Sequence, residues 1–437
     1  MPRTHTVSPD QPFVPVLLGG DLGTYSLARE FHEAYGVTSV VVLGAPNGLV
    51  QDSAFIELRP YPQGAGEQDM VQHLVALGEE LAGDSGRPLL LLGSLDGHVN
   101  RITQHRGLLE PTYTIPYPDA ATVAEVALKD HFYGLCERLG IAHPQTRTVV
   151  AGQSDPKDLA DLARLTFPVI VKPSDSAAWT QVSFPGKKKV HRVESAEELE
   201  TLLGRLQTAD YSSPVIVQEY IPGGDENMRL CTFYAERVDG RTQVTVAGYG
   251  EVVLEDHSPM MLGNSVAIVT SVDEGVVRAG TALLEEIGWE GFAMIDAKLD
   301  PRDGTVKFFE MNPRLGRNHY YLTAAGFNPV RMYVERWMGR EDLAPDTALV
   351  PADRFRSMPE GTQVLDHEVL YTTVPHALLR RHLHGSTGQK ARRLMRARRT
   401  VNPLYYGAER HPKRWAYIAA SMANHWRKFR AFPPPRG

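Results

Sequence analysis

The sequence predicts an α/β layer leading into α+β architecture and ending in a basic C-terminal extension, and three observations predict it. First, the apolar run from Val14 enters a turn at Gly20, Thr24 to Tyr35 follows with Leu27, Phe31 and Ala34 on one helical face, and Val37 to Leu43 is again strand-like. Strand, turn, helix, strand is the opening of a parallel layer in which a helix N-terminus can meet a ligand. Second, strands dominate from Val215 onward: Val215 to Tyr220, Met228 to Arg237, Gln243 to Val253, Ala293 to Leu299 and Val306 to Met311. Third, residues 376–437 carry 15 Lys and Arg against the single acid Glu409, leaving 31 basic and 51 acidic groups in the remainder.

Length and composition agree with a globular protein of two or three domains: 437 residues, 42% hydrophobic and 22% charged. The longest apolar runs, such as Pro88 to Leu92, are strand-sized and fall far short of the roughly 18 to 20 residues that span a bilayer. Met1 to Pro15 holds no continuous apolar segment, so a cytoplasmic location is expected. Cys136 and Cys231 are far apart, with neither CxxC spacing nor a ligand cluster, and read as small core residues.

A helix at Asp69 to Leu81 and the strand Pro88 to Leu92 continue the α/β alternation. The proline- and tyrosine-rich stretch Glu110 to Pro118 reads as a crossing linker, which sets boundaries at 1–122, 123–345 and 346–437. Beyond it, a helix at Ala120 to Leu139, a strand at Thr146 to Val150, a helical stretch at Asp155 to Leu165 and the buried strand Pro168 to Val171 are expected. Ser195 and Glu198 are spaced as a capping box opening a helix to Leu206.

Several residues carry chemistry. Gly19-Gly20-Asp21-Leu22-Gly23 lacks the glycine spacing of a dinucleotide fingerprint and reads first as a tight turn, then as a substrate contact. Lys172 ends an apolar run, where an ammonium is costly to bury unless it meets an anion; a phosphate is the functional partner, solvation the bland alternative. Lys129, on the preceding helix, could supply a second cation. The strand 215–221 ends in Glu219 and a Pro-Gly-Gly hinge before Asp225 and Glu226, so its backbone could meet an adenine edge and a carboxylate a ribose diol. Glu310 and Asn312 are two apart and share one face of a strand, and the turn Asp300 to Gly304 brings Asp296 alongside. Such hard oxygen donors suit Mg²⁺. Arg314 adds a fixed cation beside them.

Over residues 1–345 this order of pieces resembles the ATP-grasp superfamily, with a Rossmann-like pre-ATP-grasp domain ahead of the ATP-grasp domain. The stretch Glu310-Met-Asn-Pro-Arg314 matches its metal signature. Within it, the chain is similar to the D-aspartate ligases of peptidoglycan cross-bridges through Gly20 to His32, Lys129 to Cys136, Gly186 to Val190 and Asn402 to Tyr406. The resemblance implies ATP and Mg²⁺ as cofactors. Lys129 and Lys172 would bind phosphates, Gln218, Glu219, Tyr220 and Ile221 adenine, and Glu226 ribose. Asp296, Glu310 and Asn312 would hold the metal. Two departures stand out. No compact glycine-rich lid follows Lys172; a loop bearing Lys187, Lys188 and Lys189 stands in its place. Met294 occupies a position where D-alanine ligases have arginine, so the oxyanion role falls to Arg314 or Arg229. Arg317 and Asn264 are further substrate-binding candidates.

The implied reaction activates an amino-acid carboxylate as an acyl phosphate and transfers it to an amine, here of a peptidoglycan stem peptide. A dipeptide ligase using free amino acids and a non-catalytic nucleotide-binding scaffold are the alternatives. The basic tail interleaves arginines with Tyr405, Trp415, Trp426 and Phe429. It suits an anionic membrane surface or precursor at the inner membrane face, or an intramolecular fold onto the acidic body; nucleic acid fits least, since no matching motif accompanies the charge.

Overall fold

The computed structural model describes residues 6–434 except 46, 62, 63, 65, 85, 153–161, 163, 164, 175 and 189. The chain forms two compact units, one of Met1–Val123, Gly224–Ile295 and Asn312–Gly437, the other of Ala124–Gly223 and Asp296–Met311. The boundary expected near 122 lies beside the Val123 junction. The one expected at 345 has no counterpart, because residues 312–437 all belong to the first unit.

In the first unit a five-stranded parallel sheet runs β1 (Val14–Leu18), β2 (Ser39–Leu43), β3 (Ile56–Pro60), β4 (Leu89–Gly93) and β5 (Tyr113–Thr114), in the spatial order β3-β2-β1-β4-β5. Every residue of β1, β2 and β4 is buried, as unbroken apolar strands of a covered parallel sheet require. Strand order reverses between β1 and β4, so the turns leaving these two strands flank a topological switch point, the place where open α/β sheets bind ligands. The helix Leu22–Tyr35 leaves that point. Asp21 caps it by accepting from the Thr24 N–H at 3.0 Å, and Gly36 ends it at φ 67°.

The second unit is built on the antiparallel sheet β6 (Thr146–Val149), β7 (Val169–Pro173), β8 (His191–Val193) and β9 (Val215–Glu219), ordered β6-β9-β7-β8. Val169, Val171, Val193 and Val217 face Leu199, Leu206 and Trp179 in its core. Half of the expected Ser195 capping box forms: Ser195 Oγ accepts from the Glu198 N–H, whereas the Glu198 carboxylate accepts from the N–H of Glu194, one residue ahead of the cap. The helix expected over Ala120 to Leu139 is two helices, Ala120–Ala127 and Lys129–Arg138, because Leu128 is extended at φ −85°, ψ 118°. The helical stretch at Asp155 to Leu165 lies largely outside the described residues.

A larger sheet comprises β10 (Met228–Val238), β11 (Arg241–Asp256), β12 (Asn264–Ser271), β13 (Gly291–Leu299), β14 (Val306–Asn312), β15 (Phe355–Ser357), β16 (Gln363–Leu365), β17 (Leu370–Thr372) and β18 (Thr400–Val401). Its main path is β14-β13-β10-β11-β12-β17-β18, with β16 pairing both β11 and β15. Residues 346–437 are therefore not an appended extension. They supply four strands of this sheet, and their positive charge is met by acids of the same unit: Lys390 pairs with Glu251, Lys428 with Asp256, and Arg393 with Glu368. The excess of acid in the rest of the chain is the internal partner for these bases. Both cysteines are buried and free, as core residues.

Candidate active site

In the second unit β7 delivers Lys172 into an aromatic setting. Its Nζ donates to Tyr133 Oη at 3.0 Å and stands 5.5 and 5.9 Å from the ring centres of Tyr133 and Phe309. Tyr133 is itself fixed by donating to the Phe309 carbonyl at 2.6 Å. Burial pushes the Lys172 ammonium below its ordinary range, and the charge of Glu310 opposes that shift. Lys129 stands 3.6 Å from Glu310. Lys129 thus pairs with Glu310 while Lys172 feels its charge, an arrangement able to accept a polyanion. Lys172→Ala is expected to weaken ATP binding about 10- to 100-fold, as for loss of a charge-assisted bond, and to leave amino-acid affinity unchanged; calorimetry with a non-hydrolysable ATP analogue measures both.

The strand-to-hinge segment is more engaged than the sequence suggests. Gln218 Nε2 donates to Thr146 Oγ1 at 2.9 Å, which pins the side chain to β6. The Glu219 carboxylate pairs with Arg302 and Lys307, the two bases that also hold the buried Asp300, and this cluster keeps Glu219 below the usual carboxylate range despite burial. The Tyr220 ring lies between the Arg192 guanidinium and Lys298, and the Ile221 carbonyl accepts from Lys298 at 2.9 Å. In the loop after Lys172, Lys188 is exposed, and its backbone accepts from Trp179 Nε1 and donates to His191. Asp175 and Lys189 of that loop lie outside the described residues.

Asp296 on β13 and Glu310 on the neighbouring β14 belong to this unit, whereas Asn312, two residues on from Glu310, begins the last segment of the other. The Asn312 amide is anchored by donating to the Met294 carbonyl at 3.4 Å. Among the described residues no three His, Cys, Asp or Glu side chains converge as a ready-made cage. Carboxylate donors such as Asp296 and Glu310 fit Mg²⁺, which binds through one or two carboxylates and substrate phosphates.

The first unit holds a second constellation at the switch point. The turn after β1 brings Asp21, and the turn after β4 brings Ser94, Asp96 and the start of the helix Asp96–Gln104. The two turns are packed so closely that a Cβ on Gly19 would lie 2.2 Å from Ser94 Oγ. Arg314 Nε lies 2.8 Å from Asp96 Oδ1 without being aligned for a hydrogen bond, and Arg317 Nε lies 3.7 Å from Asp21 Oδ2. Asp21 Oδ2, Ser94 Oγ, Asp96 Oδ1, His98 Nδ1 and Asn318 Oδ1 are buried without a hydrogen-bond partner in the described structure. Burial, then the charges of Arg101 and Arg314, push His98 down to about 4, so it stands neutral near pH 7. Arg314 also donates to the Leu315 carbonyl at 3.0 Å, and a cluster of arginines and acids with several buried polar atoms still unpaired suits a small zwitterion.

The remaining candidates have local duties. Arg229 donates to the carbonyls of Glu226 and Met228 at 2.7 and 2.8 Å, which ties the turn Asp225–Asn227 to β10 and positions Glu226. Asn264 donates to the Met261 carbonyl and closes the turn before β12. Met294 explains the glycine at 316, since a Cβ there would fall 2.2 Å from the Met294 sulfur. Ser94, Asp96 and His98 escaped the sequence reading. The signal was the polar Ser94-Leu-Asp96 directly after a buried strand, matching the Asp21 turn after β1.

Compared with known proteins, the chain is 30% identical over 424 residues to the D-aspartate ligase of Enterococcus faecium, covering 97% of both chains. It belongs to the D-aspartate ligase family of ATP-grasp carboxylate–amine ligases. This ligase is an ATP-dependent enzyme. Its fold is shared with an L-amino acid ligase from Bacillus licheniformis, at TM-score 0.53 and 15% identity over 75% of each chain. A biotin carboxylase from Campylobacter jejuni superposes at TM-score 0.55 and 14% identity, over 82% of this chain and 74% of its own. No protein-family model matches the chain. Among the described residues no helix is long and apolar enough to cross a membrane.

Proposed function

We propose that this ligase joins a carboxylate of D-aspartate, or of a closely similar amino acid, to the side-chain amine of a peptidoglycan stem peptide in the cytoplasm. The observation that carries the reading is the switch-point cluster, where Arg314 and Arg317 face Asp96 and Asp21. An amino acid brings both the ammonium that the acids would hold and the carboxylate that the arginines would hold. Lys129 and Lys172 take the ATP phosphates, the 218–221 hinge the adenine, and Glu226 the ribose. Asp296, Glu310 and Asn312 would hold Mg²⁺, which would neutralise charge on the transferring phosphoryl group. The substrate carboxylate attacks the γ-phosphorus and ADP leaves; the acceptor amine then attacks the acyl phosphate carbonyl, losing a proton as inorganic phosphate departs. The chain's own contribution is positioning and charge stabilisation. The exposed Arg392 and Arg396 on the helix Gly385–Arg396 offer an anionic precursor, or the inner membrane face that carries it, a place to dock.

ADP release measured across D- and L-amino acids, with and without muropeptide precursor, tests this reading. Release that needs both D-aspartate and precursor supports it. Release with two free amino acids and no precursor would make the enzyme a dipeptide ligase. Arg314 is assigned to charge that develops as the acyl phosphate forms, so Arg314→Ala should lower kcat by about 10² to 10³ with a smaller change in KM. A change confined to KM would mark it as a ground-state binder.

A further inference from the structure

Residues 313–319 lead from β14 to the helix Tyr320–Ala324 and carry Arg314, Arg317 and Asn318. The turn closes on one oxygen: the Gly316 carbonyl accepts from the His319 N–H at 3.1 Å and from His319 Nδ1 at 2.8 Å. On its other side the ring meets the helix Leu22–Tyr35, with Nε2 2.8 Å from Glu30 Oε2. His319 is 1% exposed and Glu30 fully buried. A carbonyl can only accept, and so can a carboxylate, so both ring nitrogens donate and the ring is an imidazolium. Burial alone would strip that proton; the Glu30 charge, its hydrogen bond and the Gly316 carbonyl outweigh burial and hold the ring above its ordinary range.

The carboxylate is held as firmly as the ring. Thr323 Oγ1 donates to Glu30 Oε1, and Asn328 Nδ2 donates to the Glu30 backbone carbonyl at 3.0 Å. A buried ion pair usually stabilises no more than an apolar pair of similar volume, so its use here lies in where it ties the turn. The same helix sets the other half of the amino-acid site. Asp21 is its N-cap, and the loop lies close over its first turn, where a Cβ on Gly23 would be 3.2 Å from the Arg317 Cα. Arg317 Nε stands 3.7 Å from Asp21 Oδ2. One helix therefore fixes Asp21 directly and Arg317 through His319.

We propose that Glu30 and His319 are the positioning residues of the amino-acid site, setting the separation between the acid that takes the substrate ammonium and the arginine that takes its carboxylate. The inference rests on the ligase reading above. Neither side chain touches substrate; their effect passes through the Gly316 carbonyl. Loss of the pair frees that carbonyl and lets Arg317 and Asn318 shift away from Asp21, whereas Lys129 and Lys172 belong to the second unit and keep their places. Glu30→Gln tells position from charge. With a neutral ring it keeps the whole chain of bonds: the amide N–H donates to Nε2, Nδ1–H donates to the Gly316 carbonyl, and the amide oxygen accepts from Thr323.

The test uses the full chain and ADP release dependent on D-aspartate. Glu30→Leu combined with His319→Phe leaves no buried charge unpaired; it should raise KM for D-aspartate by about 10-fold and leave KM for ATP unchanged, whereas Glu30→Gln should stay within about 3-fold of wild type. Thermal melts establish that each variant is folded. His319→Gln, which still offers Glu30 a donor while freeing the Gly316 carbonyl, should raise KM for D-aspartate in the same way and decides the matter if the double variant melts early. Unchanged KM for D-aspartate in folded variants, or an equal rise in KM for ATP, overturns the positioning role while the ligase reading stands. Absence of ADP release by the wild type with any amino acid overturns both.

Discussion

Glu310→Gln is expected to reduce ligase turnover by at least about 10³-fold while the protein stays folded, because a metal's charge stabilisation contributes several kcal/mol to such a transfer. The substitution keeps volume and removes charge. In the structure that charge does two things: it stands 3.6 Å from Lys129, and it opposes the burial that depresses Lys172. On the proposed reading its loss weakens the metal site, and it leaves Lys129 without this ion-pair partner and Lys172 without the charge that offsets its burial. ATP itself can supply that missing negative charge, so nucleotide affinity should fall less than turnover does. ADP release over a Mg²⁺ titration, beside a denaturant melt, separates the effects. Wild-type turnover at unaltered Mg²⁺ demand would remove Glu310 from the metal site.

The parts of this site that were legible in the sequence are those governed by local periodicity. Glu310 and Asn312 announce a common face by lying two apart in an apolar strand, and Lys172 announces itself as a cation at the end of one. The parallel layer was legible for the same reason, since β1, β2 and β4 are unbroken apolar runs. What escaped is set by topology. Asp21 and Asp96 are 75 positions apart in the sequence and face the same pair of arginines only because β1 and β4 are neighbours in the sheet. Asn264 shows a different kind of ambiguity. An amide reads as a ligand contact, but its spacing to Met261 closes a turn, which a linear reading cannot tell from binding.

The basic tail shows where composition leaves two places open. Excess charge over residues 376–437 suited an anionic surface or a fold onto the acidic body, and burial favours the second for part of it: Arg414 is 1% exposed and Glu409, the segment's one acid, 3%. The Glu409 carboxylate accepts from Tyr25 Oη at 3.0 Å, Ser53 Oγ at 2.9 Å and the Ala54 N–H at 3.0 Å, with Arg414 Nε 3.4 Å away and its guanidinium over the Tyr25 ring. Removing one member of such a buried pair strands the other, which typically costs about 3 to 5 kcal/mol, a large part of the roughly 5 to 15 kcal/mol that holds a protein folded.

Arg414→Ala should therefore lower the urea midpoint sharply, and truncation after residue 375, which removes both partners together with β18 and the helix Pro412–Ala431, should leave the first unit unable to fold. Replacing the pair together, Glu409→Leu with Arg414→Met, should recover much of the loss, since no charge is then left buried without its counterpart. Recovery would locate the penalty in the orphaned carboxylate and not in lost packing volume. If Arg414→Ala shifts the midpoint by less than about 1 kcal/mol, within the range of an exposed ion pair, the tail is held at its surface only. Binding of the intact, folded 1–375 chain to anionic and neutral vesicles would then measure how much of the charge serves docking. If the large loss is observed instead, the arginines that remain for docking are exposed ones such as Arg392 and Arg396, on a helix of the first unit.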